Sequence, residues 1–168
     1  MAIATSLVYD IRLVTAVNPV NGGLEIIFRG GTVAFLLSGH PNFEILRLHA
    51  ESQLGQPVPL GLLLDADSRV IDLNIAHDTS VQSIQECPED PNRLKVAFWG
   101  YSPVCYLTRD HPDFDRIRAT VRRAAGTRTM LWVVHHSEMV ADEPKTRDGE
   151  FEVWWKILDV RPVQPNDE

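Results

Sequence analysis

One corner of the chain is written twice: His40-Pro41-Asn42-Phe43 in the first half and His111-Pro112-Asp113-Phe114 in the second. Upstream, Leu24–Gly30 (LEIIFRG) is matched by Leu94–Gly100 (LKVAFWG), and Val33-Ala34-Phe35-Leu36 by Val104-Cys105-Tyr106-Leu107. Downstream, Leu54-Gly55 answers to Ala125-Gly126, and Leu60 and Leu62 answer to Leu131 and Val133. Near the end of each half, Val70-Ile71-Asp72-Leu73 is matched by Ile157-Leu158-Asp159-Val160. Blocks that recur in one order indicate an internal duplication, and one supersecondary unit must then satisfy both stretches. The organisation expected is a first repeat over 1–75, a second over 76–163 and a polar tail over 164–168.

Each repeat is legible by period. Leu24–Arg29 and Thr32–Leu37 are apolar runs of strand length around Gly30-Gly31, a hairpin signal. Leu94–Trp99 and Val104–Thr108 repeat the pattern around Gly100-Tyr101-Ser102-Pro103. A helix follows, with Pro41 and Pro112 expected at its first position and Glu44, Asp113 and Asp115 near its positive end. Phe43, Leu46, Ala50 and Leu54 share one helical face, as do Phe114, Ile117, Val121 and Ala125. Gly55 and Gly126 fall where a left-handed residue ends such a helix. Val58–Leu64 and Thr129–His135 read as fourth strands, Arg69–Ile75 and Phe151–Val160 as fifth strands, and Leu7–Val17 and Thr79–Gln85 as first strands.

Each unit is therefore β-β-β-α-β-β, and the fold class is α+β. That order resembles an OB-like barrel, in which the helix falls between the third and fourth strands. A unit of this size has a marginal core alone, so two small OB-like barrels packed as a pseudo-twofold pair are expected.

Composition narrows the functional classes. An apolar fraction of 44% with 23% charged residues describes a globular protein, and no apolar run is long enough for a membrane span. The N-terminal MAIATSLVYD has neither a basic start nor a long apolar core, so no secretory signal is expected. A net charge of −7 disfavours nucleic acid, whose phosphates are bound by clustered Lys and Arg. Cys87 and Cys105 are the only cysteines and both lie in the second repeat, which reads as reduced thiols of a cytoplasmic protein.

The chemical candidates each have an ordinary structural reading. His40 and His111 could form a symmetric metal or acid–base pair, but each precedes a proline at a helix start, a position suited to a cap. In His135-His136-Ser137-Glu138, strand geometry lets only His136 and Glu138 point the same way, and no HExxH or CxxC partner accompanies them. Asp65 and Asp67 lack the glycine and closing glutamate of a calcium loop and read as a turn. Arg116, Arg118, Arg122 and Arg123, followed by Arg128, read as a solvated helix face with local pairs such as Asp115–Arg118. The glycine pairs lie between strands, not before a helix, and form no phosphate cradle. No catalytic residue, metal site or cofactor is assigned.

The asymmetry between repeats carries the functional reading. Two connections are longer in the second repeat: Glu86–Arg93 against Asn18–Gly23, and Ser137–Glu150 against Ala66–Ser68. Trp99, Tyr101, Trp154 and Trp155 lie near them in the pattern, with His136 and Glu138, and aromatics beside projecting loops suit partner contact. The function expected is a non-enzymatic protein-binding or self-association module working through the second repeat. A small enzyme with a His-containing polar pocket between the repeats is the alternative. Nucleic-acid binding by OB-like analogy comes third, against the charge.

Overall fold

The structure is a computed structural model that describes residues 8–88, 90–101, 104–139 and 153–164. It is a mixed α+β fold with 11 strands and 2 helices among the described residues. The chain divides into two compact units, Val8–His77 and Asp78–Val163.

In the first unit, β2 (Val14–Val20), β3 (Gly23–Phe28) and β4 (Val33–Leu37) form an antiparallel meander. Its first turn requires glycine, since a Cβ on Gly23 would collide with the Leu36 carbonyl oxygen. Helix α1 (Phe43–Ser52) buries Leu46 and Ala50, one turn apart, on the core. The chain then forms β5 (Leu60–Leu64) and β6 (Val70–Thr79), which pair antiparallel, with the short β1 (Asp10–Arg12) on the far side of β5. A parallel bridge from Phe35 to Arg69 joins β4 to the start of β6.

From its meander onward, the second unit has the same order of elements. The meander is β7 (Val81–Glu86), β8 (Arg93–Phe98) and β9 (Val104–Thr108). Helix α2 (Phe114–Ala124) buries Ile117, Val121 and Ala124 at helical spacing. Strands β10 (Leu131–Met139) and β11 (Val153–Pro162) pair antiparallel, and β11 runs parallel beside β9 over Trp154–Lys156.

The expected barrels are not found: no sheet among the described residues closes on itself. In the second unit the strands lie in the order β7-β8-β9-β11-β10, and the end strands β7 and β10 are not paired with each other. A closed barrel would need those end strands to meet. The single first strand expected over Leu7–Val17 is two strands, because Leu13 leaves the ladder and its carbonyl accepts the Arg29 N–H at 2.8 Å. Both helices start at the phenylalanine of the repeated corner, so Pro41 and Pro112 occupy the preceding turn instead of the first helical position. Gly55 and Gly126 each take a left-handed φ of 73° after the helix.

Each unit has its own core. In the first, Leu24, Ile26, Phe28, Ala34 and Leu36 meet Leu46 and Ala50 over Leu60, Leu62 and Leu73, with Phe43 partly buried against them. In the second, Leu94, Val96, Phe98 and Leu107 meet Ile117 and Val121 over Leu131, Val133 and Ile157, with Phe114 partly buried. Cys87 and Cys105 are buried thiols, neither in a disulfide.

Candidate partner-binding site

The repeated histidines are structural. His40 accepts the Asn42 N–H on Nδ1 at 3.0 Å and donates from Nε2 to the Ile71 carbonyl at 2.9 Å. His111 accepts the Asp113 N–H on Nδ1 at 3.0 Å and donates from Nε2 to the Leu158 carbonyl at 2.7 Å. Ile71 and Leu158 are the extra residues of β-bulges: Leu63 and Leu64 face Asp72 and Val70, and Val134 and His135 face Asp159 and Ile157. A bulged residue drops out of the ladder. In both units the imidazole supplies the donor that the bulge carbonyl needs, while its other nitrogen closes the turn into the helix. Both ring nitrogens are committed, which leaves neither histidine poised as a metal ligand or proton shuttle.

The aspartates one residue beyond the bulges are also held. Asp159 is 1% exposed, accepts the Val160 N–H at 2.8 Å and pairs with Arg116 at 2.7 Å. Burial works against the Arg116 cation, but Asp159 and Asp113 outweigh it and raise its pKa. Asp72 accepts from Leu73 N–H, the Tyr9 hydroxyl and the Asn74 amide. On α2 the expected local pair forms, Arg118 on Asp115 at 3.2 Å, whereas the nearest carboxylate to Arg116 is that of Asp159, distant in sequence. Asp65 closes a turn by accepting the Asp67 and Arg69 N–H groups, each at 2.9 Å. Among the described residues no three His, Cys, Asp or Glu side chains cluster as a metal site, and no helix is long and apolar enough to cross a membrane.

The aromatic candidates separate onto two faces. Trp154 and Trp155 are successive on β11 and therefore point oppositely. Trp155 lies against the core of the second unit, with its ring stacked on His135 at 3.9 Å and 6° and tilted against Tyr101 at 5.4 Å. Tyr101, Trp155 and His135 thus form a ladder of three rings below the β8–β9 turn. Burial, then the charge of Asp78, pushes the Tyr101 phenol above its ordinary pKa.

Trp154 faces the other way and is closed off. It is 6% exposed, lies beside Tyr106 and Cys87, and is covered by Lys95 at 5.2 Å and Arg93 at 5.4 Å. His136 stands opposite Lys156 and Glu138 opposite Trp154 in the β10–β11 register, so both belong to the Trp154 face by position. The side chain of Glu138 and most of the enlarged Ser137–Glu150 connection, from 140 onward, lie outside the described residues.

Of the four aromatics in the set, Trp99 is the exposed one. Its N–H donates to the Ser80 carbonyl at 3.0 Å, and its carbonyl accepts the hydroxyl of buried Thr79 at 3.0 Å. The backbone is pinned on both sides while 56% of the residue is exposed. Gly100, at φ 79°, then turns the chain towards Tyr101. Sequence reasoning named Trp99, Tyr101 and Trp155 but missed His135. Its signal was parity: His135 follows Leu131 and Val133 by two-residue steps and so falls on the core face.

Compared with models of known protein families, with curated proteins and with solved structures, the chain matches none.

Proposed function

We infer that this protein is a non-catalytic binding or assembly module whose partner contact is the β8–β9 end of the second unit, led by Trp99. The observation that carries this reading is the pinned backbone beneath a largely exposed indole. A lone exposed apolar residue is unremarkable on a protein surface. Here the indole shares its turn with Tyr101, which rests on a stacked base of Trp155 and His135. A rigid aromatic anchor loses little side-chain entropy on binding, which is why Trp and Tyr dominate interface energetics. Against the enzymatic alternative, His40 and His111, two of the three histidines it would use beside His136, are bonded to bulge carbonyls.

The two units are best understood as copies of one open-sheet unit. The support is the paired His corner, the paired bulges at Ile71 and Leu158, and a second pair at Thr15 and Gln82, where β2 and β7 each carry one extra residue against their hairpin partners. On this reading the second copy acquired the exposed Trp99, where the first has Arg29.

The double variant Trp99→Ala/Tyr101→Ala tests the function. Wild type and variant, immobilised separately, are challenged with lysate, and bound proteins are identified by mass spectrometry. The reading expects at least one protein held by wild type and lost from a variant with an unchanged fold by circular dichroism. An identical captured set from both proteins would overturn it.

A further inference from the structure

The first unit carries a second uncovered surface, on the face of its meander that α1 does not cover. Strand β4 is apolar at every position (VAFLL), so both of its faces are apolar. Ala34 and Leu36 fill the core, while Phe35 and Leu37 point the other way and remain 37% and 44% exposed. Val20 of β2, 40% exposed, borders the same groove. An antiparallel sheet with one wet face ordinarily alternates apolar with polar residues, and this strand does not.

The corresponding surface of the second unit is closed. Tyr106, which the sequence correspondence aligns with Phe35, is 1% exposed beneath Trp154 and Arg93. Among the described residues no aromatic or cation covers Phe35 in this way.

Two charges of opposite sign rim the patch. Arg69 is the bridge partner of Phe35 and so lies beside it on this face, and Asp67 borders the groove with it. Both residues are exposed, and among the described residues neither forms an ion pair. Glu25, on the same face, is engaged by the Asn18 amide at 3.3 Å. Glu25 keeps its negative charge beside Phe35, and at the rim the exposed Asp67 and Arg69 are opposite charges that a two-fold axis can match to themselves, each Asp67 facing the other copy's Arg69. A partner of a single charge would satisfy only one of the two.

We propose that this face is a homodimer interface, in which Val20, Phe35 and Leu37 of two copies meet and Asp67 and Arg69 pair reciprocally. The surface belongs to the first unit and is independent of Trp99, so the assembled protein presents two copies of the Trp99 turn.

Sedimentation velocity on the whole chain, from micromolar to sub-millimolar concentration, tests the proposal. Wild type is expected to move from monomer to dimer across that range. Leu37→Glu, which buries a charge in the centre, should leave monomer throughout, with an unchanged circular dichroism spectrum. Asp67→Arg should weaken dimerisation about tenfold by opposing two cations, and adding Arg69→Asp should restore it to near the wild-type constant. The charge exchange uses exposed side chains only and remains decisive should Leu37→Glu fail to fold. A wild type that stays monomeric throughout, or an Asp67→Arg/Arg69→Asp protein no tighter than Asp67→Arg, would overturn the proposal.

Discussion

His111 donates from Nε2 to the main-chain carbonyl of Leu158, 2.7 Å away and 47 residues along the chain, joining the entry of α2 to a bulge in β11. The first unit makes the same bond between His40 and Ile71 at 2.9 Å. Truncating either histidine frees a backbone N–H in the turn and a carbonyl at the bulge. His111 is 9% exposed whereas His40 is more open to water, which can replace the lost partners there. His111→Ala should therefore cost about 2–3 kcal/mol and His40→Ala about 1 kcal/mol. Urea unfolding measures both. Equal losses, or a loss at His111 within error of zero, would remove the clamp from this account.

Arg116 presents a different balance. Its side chain is 39% exposed, but that of Asp159, whose carboxylate it meets, is 1% exposed. Arg116→Met keeps much of the apolar stem and removes the cation from a buried carboxylate that also accepts the Val160 N–H. The expected loss is about 2 kcal/mol, below the usual cost of breaking a buried pair because water reaches the arginine side. Adding Asp159→Asn should recover at least half of it. Thermal melts of the single and double variants decide; a double variant less stable than Arg116→Met contradicts the charge explanation.

Cys105 gives a pH signature. Burial pushes its thiol up to about 12, so the folded protein keeps it protonated where an unfolded chain would ionise it. A raised pKa in an acid of this kind stabilises nothing below the unfolded value, and it costs stability as pH climbs from about 9 towards 12. By pH 11 that loss should reach about 2–3 kcal/mol in wild type and be missing from Cys105→Ala. Urea unfolding of the two proteins from pH 8 to 11 reads it as diverging slopes. Parallel slopes would show that the thiol titrates normally in the fold. In the same state both cysteines should resist alkylation until the protein is denatured, since both are buried.

The elements were legible where periodicity speaks. Leu24–Phe28 and Leu94–Phe98 alternate cleanly, and Leu46/Ala50 and Ile117/Val121 mark one helical face each, so the two antiparallel meanders and both helices could be read in order. The closure of the sheets could not. Whether a unit's end strands, β7 and β10 in the second, pair to complete a barrel depends on a long-range edge contact, and no local pattern encodes that. The His-Pro corner was visible as a repeated motif, but its purpose depends on the bulges at Ile71 and Leu158, each a one-residue register change without a sequence mark. Trp154 was expected among the contact aromatics; its burial comes from Arg93 and Lys95 on a neighbouring part of the sheet, a tertiary cation–π cover. Trp99 was readable because it follows the last strand residue and directly precedes a glycine turn.

The partner surface is tested most directly by photo-crosslinking from position 99. A benzophenone side chain replaces Trp99 in one protein and Ile84, on edge strand β7, in another, and each is irradiated in lysate. The account predicts a discrete crosslinked product from position 99, absent from position 84 and lost when excess unlabelled wild type competes. No discrete product at 99, or the same products from both positions, would contradict the claim that the Trp99 turn is where this protein meets its partner.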